Sequence, residues 1–100
     1  MDIYYFNITV LRNKNVFNLK VKDVDEQRAD KISRLRVTDD KLRCLGAGLL
    51  ERFVREKYGI KGEKRTDKFG KPYFKDSKVH FNISHSGNYV IVAVSRHNIG

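Results

Sequence analysis

A short string of residues toward the end of the chain combines side chains that can hold a phosphate. It reads Asn-Ile-Ser-His-Ser-Gly over residues 82–87. Ser84 offers a hydroxyl donor, His85 a ring N–H, and Gly87 lets a backbone N–H approach a ligand closely. The same residue types are common in ordinary hairpin turns, so both interpretations stay open on these residues alone. A Ser–His nucleophile pair is not expected, because adjacent residues of a strand point to opposite sides.

Two further groups of residues could contact an anion. Phe-Gly-Lys-Pro over residues 69–72 predicts a tight turn that projects Lys71 toward a phosphate or a purine edge. The second group is a set of five cations around two predicted helices: Arg28, Lys31, Arg34, Arg36 and Arg43. Arginine can bind phosphate through two parallel N–H groups. Each group also has an ordinary alternative, a solvated loop lysine or surface cations balanced by nearby aspartates.

The sequence predicts neither a metal site nor a disulfide framework. His80, His85 and His97 lack the helical spacing of metal ligands, and no carboxylate pair is placed for a divalent ion. Cys44 is the only cysteine and is expected to pack as a small side chain. The single cysteine and an N-terminus without a basic signal segment predict a cytoplasmic protein. No apolar run reaches the roughly 20 residues that cross a bilayer, so no membrane partner is expected.

The charge of the chain is concentrated in its middle. The 100 residues carry 21 Lys+Arg and 12 Asp+Glu, for a formal net charge of +9, and 40% of them are hydrophobic. Residues 31–71 alone hold thirteen basic and six acidic residues. Such a balance is typical of proteins that bind nucleic acid, a phosphorylated small molecule or an acidic protein, although a solvated helical face accounts for it equally well. The length allows one small domain with a modest core.

The spacing of apolar residues predicts the first elements that position these groups. Residues 3–11 alternate as a strand, and residues 16–22 alternate as well, which favours a second strand. Asp23 followed by Glu26 predicts the N-cap of a helix over residues 24–36.

The clearest element is a second helix, which begins at a Thr38 cap and carries one apolar face as far as Tyr58. Gly59 is placed to end it. Gly46 and Gly48 inside the helix are either used for close approach of a backbone or ligand, or simply tolerated.

The remaining residues predict mainly strands. A polar loop over residues 60–78, with a short strand near 64–67, leads to a hairpin of residues 79–84 and 88–95 with its turn at 85–87. The order is therefore ββααβββ. It predicts an α+β fold in which an antiparallel sheet packs with two helices in a single domain.

These segments occur in an order that resembles the N-terminal half of a 4′-phosphopantetheinyl transferase. They are Arg28, the helix from Asp40 through Arg43 to Leu50, Gly70-Lys71-Pro72, Phe81-Asn-Ile-Ser-His-Ser-Gly87, Val90-Ile-Val-Ala-Val94 and Ile99-Gly100. The resemblance covers nearly the whole chain, and its specific part is the Phe-Asn-Ile-Ser-His-Ser-Gly string after Gly-Lys-Pro. Family members usually have a looser, partly helical stretch at residues 16–22, so strand and helix both stay open there.

The resemblance implies a fold, a reaction and a set of binding residues. The family transfers the phosphopantetheine arm of coenzyme A to a serine of an acyl or peptidyl carrier protein, with Mg²⁺, in an active site between two similar lobes. The implied fold is one lobe of this pseudo-dimer. Seven residues would bind coenzyme A, with no catalytic residue among them: Arg28, Lys31, Arg43, Lys71, Pro72, Ser84 and His85. Arg43 and His85 would hold the 3′-phosphate, helped by Arg28 and Lys31. The adenine and phosphates would lie near Lys71, Pro72 and Ser84.

The resemblance also implies parts that residues 1–100 do not contain. In the family, an acidic motif that holds Mg²⁺ follows Ile99-Gly100 almost at once. We therefore expect an N-terminal lobe without its C-terminal metal-binding lobe, inactive alone and in need of a second chain or lobe. The surface that faces the other lobe should be a contiguous apolar patch.

Two other classes of function stay open on the residues. One is a non-enzymatic nucleic-acid-binding module, built on the basic middle and on four aromatic residues: Tyr58, Phe69, Tyr73 and Phe74. The other is a protein-interaction lobe that has kept only the fold.

Overall fold

The chain forms a three-stranded sheet with helices packed on one face. The computed structural model describes residues 1–96. Its elements are β1 (Asp2–Asn7), a 3-10 helix (Ile8–Arg12), α1 (Lys14–Lys20), a 3-10 turn (Val21–Asp23), α2 (Glu26–Arg34), α3 (Thr38–Lys57), β2 (Lys64–Thr66), β3 (Pro72–Phe74), β4 (His80–Ser86) and β5 (Tyr89–Ser95). The predicted α+β class with an antiparallel sheet is confirmed. Within residues 1–96 the structure has three α-helices, where the sequence predicted two. His97 and Ile99-Gly100 lie outside the described residues.

The main sheet places β5 between β1 and β4, antiparallel to both. Alternate residues of a strand point to the same face, and in β5 Val90, Val92 and Val94 form the face buried against α3. The opposite face is open and carries Ile3 and Tyr5, which are 63% and 71% exposed. The helices therefore cover only one face of the sheet, and the open face keeps exposed apolar side chains on β1.

Residues 16–22 lie in helix α1 and the 3-10 turn after it, so the strand favoured by their alternation is wrong. Asn13 caps the helix, because its side-chain oxygen accepts hydrogen bonds from two N–H groups of the first turn. The alternation misled because it counted Leu19, which is 62% exposed. Val16, Phe17 and Val21 are the residues of this segment that pack against the core.

Strand β1 ends at Asn7, earlier than the predicted strand over residues 3–11. The Asn7 side-chain oxygen accepts hydrogen bonds from the N–H and hydroxyl of Thr9, at 3.0 and 2.8 Å, and caps a 3-10 helix. Ile8 and Leu11 are each 1% exposed and lie three residues apart. That spacing places both on one side of a 3-10 helix, whereas a strand would turn them to opposite faces.

The helices α2 and α3 begin at different caps from those predicted. Asp25, and not Asp23, is the N-cap of α2, where its Oδ1 accepts a hydrogen bond of 2.7 Å from a backbone N–H of the first turn. Val37 occupies the N-cap of α3, and its side chain cannot accept a hydrogen bond. Thr38 is therefore the first residue of α3 and not its cap. The predicted helix over residues 24–36 is correct in its centre and too long at both ends.

The C-terminus of α3 has the predicted glycine cap. Gly59 has a φ of 63°, a left-handed conformation that is strained for other residues. The N–H of Ile60 donates to the carbonyl of Arg55 at 2.9 Å, and the N–H of Gly59 donates to that of Glu56 at 3.4 Å. These two bonds define a Schellman motif, and Ile60 packs back into the core at 8% exposure.

Two hairpins follow α3. The predicted loop holds a two-stranded sheet, β2 against β3, in which Lys64 lies opposite Phe74. In the second hairpin the turn consists of Gly87 and Asn88, since β4 extends to Ser86. The predicted turn at residues 85–87 is therefore displaced, because Gly87 alone supplies the positive φ, 57°, that a two-residue turn of type II′ needs.

Gly48 allows α2 to pack closely on α3. A Cβ built at this position would lie 2.3 Å from Cδ of Arg28 and 2.7 Å from Cγ1 of Val24. Of the two uses predicted for the helix glycines, close approach is the one observed, and the group that approaches is the side chain of Arg28.

Gly48→Ala is expected to destabilise the fold by about 1–3 kcal/mol, the usual range for overpacking. Helix propensity alone predicts the opposite sign, a gain of roughly 1 kcal/mol. Urea unfolding measures the difference. Gly46→Ala is the matched control in the same helix, since its added methyl would meet Ile8 Cγ2 at 3.0 Å and needs a smaller shift. A more stable Gly48→Ala protein would show that α2 does not need this close approach.

Candidate functional site

A groove of about 550 Å³ runs between α2 and the β2–β3 hairpin. Three of the seven predicted binding residues line it, Arg28 and Lys31 from α2 and Pro72 from β3. The turn residue Gly70 and the strand residue Lys64 line the hairpin side. Because cations face the groove from both walls, it is suited to a small anionic ligand.

Arg28 is held in the interior of this wall. Its Nη2 donates to Oε1 of Glu51 at 2.9 Å, and its Nη1 donates to the carbonyl of Cys44 at 3.2 Å. The side chains of Arg28 and Glu51 are only 16% and 6% exposed. The Nε of Arg28 is buried and has no hydrogen-bond partner within the described residues. Most of the guanidinium therefore serves to join α2 to α3.

Lys64 is a groove residue that the sequence analysis missed. Its Nζ donates to Oε2 of Glu51 at 3.0 Å and to Oδ2 of Asp25 at 3.2 Å. The Glu51 carboxylate thus accepts from two cations that belong to different elements, α2 and β2. The sequence signal for this arrangement is a glutamate between Leu50 and Val54 on the apolar side of α3, three residues after Gly48.

Asp25 connects the start of α2 to the hairpin. Partial burial by itself would raise the pKa of Asp25, but the hydrogen bond from the backbone N–H of Arg28 and the ion pair with Lys64 outweigh it. The pKa of Asp25 is therefore below its ordinary value of 3.8. The carboxylate is charged at neutral pH, as its pairing with Lys64 requires.

Lys31 differs from the other cations of the groove. Its side chain is exposed and makes no hydrogen bond or ion pair within residues 1–96. Arg34, one turn further along α2, is paired with Asp30. Lys31 is therefore the groove cation whose full charge is available to a ligand.

Lys71 and Pro72 lie at an adjoining cleft of about 310 Å³ between β3 and β4. The turn that carries Lys71 is built by Asp67, whose Oδ1 accepts hydrogen bonds from the N–H groups of Phe69 and Lys71 at 2.8 and 2.9 Å. Gly70 has a φ of 83°. Pro72 lines both spaces, so the predicted turn over residues 69–72 forms the ridge between them.

The other three predicted residues lie away from the groove lining. Arg43 is paired with Asp40 at 2.5 Å on the first turns of α3. Ser84 and His85 are exposed consecutive residues of β4, opposite Ile91 and Val90 of β5. Because consecutive strand residues alternate, Ser84 points to the open face of the sheet and His85 to the helical face.

The acidic residues of the groove do not fit a Mg²⁺ site. Asp25 and Glu51 are each paired with cations. Among residues 1–96, no three His, Cys, Asp or Glu side chains come together in a way that could hold a metal ion. No helix in the same residues is both long enough and apolar enough to span a membrane.

Arg28→Met is expected to reduce the free energy of unfolding by about 3 kcal/mol, because it leaves the buried Glu51 carboxylate with Lys64 as its only cation. Urea unfolding at neutral pH measures this loss. The double variant Arg28→Met/Glu51→Met is expected to recover part of the stability, since no buried charge is then left without its partner. Equal stability of Arg28→Met and the unmodified chain would mean that the pair does not join α2 to α3.

Asp25 is expected to make stability depend on acid pH. A carboxyl whose pKa is lower in the folded state stabilises the fold above its unfolded pKa, and this contribution is lost as the pH falls through the folded value. Stability should therefore decline below about pH 4. Asp25→Asn keeps a capping oxygen but cannot titrate, so its thermal unfolding should depend less on pH in this range. An identical acid profile for both proteins would exclude the contribution.

Two comparisons place the chain among known proteins. The family described as 4′-phosphopantetheinyl transferase, N-terminal, matches residues 12–97. The 4′-phosphopantetheinyl transferase gsp of Aneurinibacillus migulanus is 33% identical over 92 residues, which cover 88% of this chain and 38% of that relative. The chain thus spans well under half the length of the curated relative it matches. Because the family match covers most of its residues, the chain belongs to the 4′-phosphopantetheinyl transferase family and corresponds to the N-terminal part of its members.

Proposed function

We propose that the chain is the coenzyme A-binding lobe of a 4′-phosphopantetheinyl transferase, a holo-acyl-carrier-protein synthase. The observation that carries the proposal is the family match over residues 12–97, and the basic groove beside the turn at residues 69–72 supports it. The lobe would bind the nucleotide end of coenzyme A while an acyl or peptidyl carrier protein receives the phosphopantetheine arm.

The groove is suited to the phosphates of this substrate. Each phosphate offers oxygens that accept charge-assisted hydrogen bonds, and Lys31 has three N–H donors without a side-chain partner among residues 1–96. Arg28 would act mainly through its charge, because its two Nη atoms donate to Cys44 and Glu51 and its Nε is buried. Lys71 and Pro72, at the neighbouring cleft, would contact the adenine and the adjacent phosphates.

The coenzyme A site would be completed by three residues outside the groove: Arg43, Ser84 and His85. The ion pair of Arg43 with Asp40 is partly exposed. Breaking it so that Arg43 can bind a phosphate would therefore cost little free energy. The strand that carries Ser84 and His85 lies at the edge of the main sheet. A ligand lying along this edge could meet residues from both faces of β4.

Catalysis would need a second lobe, either in the same polypeptide or in another one. Family members use Mg²⁺, which supplies charge neutralisation at the reacting diphosphate, and the described residues do not fit a site for it. The open face of the sheet would be the surface that packs against this lobe. It carries Ile3, Tyr5 and Tyr89, which are 63%, 71% and 42% exposed.

The nucleic-acid alternative has less support from the arrangement of its aromatic residues. Phe74 is 3% exposed and packs on Phe81, and Tyr58 donates a 2.5 Å hydrogen bond to Asp2. The pKa of Tyr58 is raised by partial burial, by this bond to Asp2 and by a second hydrogen bond with Tyr4. Stacking of bases needs exposed ring faces, which leaves only Phe69 and Tyr73 of the four predicted residues.

Residues 1–100 alone are expected to leave an apo carrier protein unmodified when mixed with coenzyme A and Mg²⁺, since the metal-binding residues would belong to the second lobe. Adding a polypeptide that contains a C-terminal lobe of this family is expected to raise the carrier's mass by one phosphopantetheine. Intact-mass spectrometry of the carrier measures both outcomes.

Three results would contradict parts of this proposal. Full modification of the carrier by residues 1–100 alone would overturn the requirement for a second lobe. Salt-dependent binding of RNA or DNA that neither coenzyme A nor adenosine 3′,5′-bisphosphate displaces would favour the nucleic-acid alternative. Unchanged activity of the two-lobe mixture with Arg43→Ala and His85→Ala would remove these two residues from the substrate site.

A further inference from the structure

Lys64 is fixed in place more firmly than a surface lysine. A lysine side chain normally samples many rotamers, but here two carboxylates, Glu51 and Asp25, accept hydrogen bonds from the same ammonium group. The side chain is 22% exposed. An ammonium has three N–H donors, so one is left after these two bonds. Lys64 therefore presents a positioned donor, with its conformational freedom already largely lost on folding.

The position of Lys64 matters because it lines two spaces. One is the groove of about 550 Å³ that it shares with Lys31, and the other is a groove of about 400 Å³ lined by Gly48, Glu51 and Arg55. The ion pair of Lys64 with Asp25 lies where the two spaces meet, since both residues line each of them. Lys31 faces the larger space from α2 and Lys64 faces it from β2.

Glu51 holds this lysine and does not line the larger of the two spaces. It is 5% exposed, lies on α3, and accepts hydrogen bonds from Arg28 with one carboxylate oxygen and from Lys64 with the other. A buried carboxylate is costly unless it is paired, so its two cations are strongly attracted to these positions. Without Glu51, Lys64 would keep only its partly exposed contact with Asp25.

We propose that Lys64 is an anion-binding residue that grips a phosphate together with Lys31, and that Glu51 is the positioning residue that holds Lys64 for this role. The inference rests on the proposed function, because the phosphate in question is one of those of coenzyme A. It adds a binding residue from β2 and a positioning residue from α3 to the set expected from the family resemblance.

The first test is the affinity of the 100-residue chain for adenosine 3′,5′-bisphosphate, measured by isothermal titration calorimetry. Lys64→Met keeps most of the side-chain volume and removes the charge, and it is expected to weaken binding about tenfold, the size of one hydrogen bond to a charged group. Lys61→Met is the matched control, because Lys61 is an exposed lysine of the same segment that does not line the groove. An equal effect of the two variants would overturn the assignment.

The second test separates positioning from general stability. Glu51→Gln keeps the shape of the side chain and is expected to weaken binding by less than Lys64→Met. If Glu51 acts through Lys64, the double variant should bind no more weakly than Lys64→Met alone, because effects on one shared interaction do not add. Additive losses would assign Glu51 a merely structural role. The Lys64→Met result stands by itself if Glu51→Gln fails to fold.

The failure of this inference can be told from the failure of the proposed function. If the unmodified chain binds the bisphosphate, and Lys31→Met weakens binding while Lys64→Met does not, the groove is a phosphate site and Lys64 is not part of it. If the unmodified chain does not bind the bisphosphate at millimolar concentration, both the proposed coenzyme A site and the role of Lys64 are overturned.

Discussion

The arrangement of the lobe depends on one buried carboxylate. Glu51 lies on the buried side of α3. A charge in that position must be paired, because the free energy of desolvating an isolated ion is far too high. Arg28 of α2 and Lys64 of β2 supply the pairing. Gly48 leaves the space through which Arg28 reaches it. The positions of two helices and a hairpin relative to one another thus follow from the requirements of a single ionised group.

This constraint also shapes the groove. Its walls carry several cations, but those nearest the core are already neutralised by Asp25 and Glu51. Lys31, at the outer rim, keeps its full charge for a ligand, and Lys64 adds one remaining N–H donor. The net charge of +9 belongs to the whole chain and does not describe the groove, where the carboxylates of Asp25 and Glu51 offset the charges of Lys64 and Arg28. What remains is a small number of positioned donors, which suits a substrate with discrete phosphates.

Secondary structure was predicted correctly where the pattern of apolar residues was long, and wrongly where that pattern was short. The apolar face of α3 and the glycine after it were recognised correctly, since twenty residues of helical spacing leave little ambiguity. The apparent alternation of residues 16–22 wrongly predicted a strand, because capping by Asn13 begins helix α1 there. For the site, Arg28, Lys31 and Pro72 could be proposed from their types and from the family resemblance. Lys64 could not, because nothing near it in sequence distinguishes it from the other hairpin lysines.

Sequence alone was enough to predict the α+β class, the long amphipathic helix, the turn at residues 69–72 and the family resemblance, because each is encoded in neighbouring residues or in an ordered set of motifs. The tertiary structure alone decided which cations are paired and which remain free. Arg28 and Lys31 are three residues apart and similar in charge, yet one is bound to Glu51 and the other is open to solvent. That difference arises from packing between elements distant in the chain, since burial determines whether a charge needs a protein partner or can rely on water.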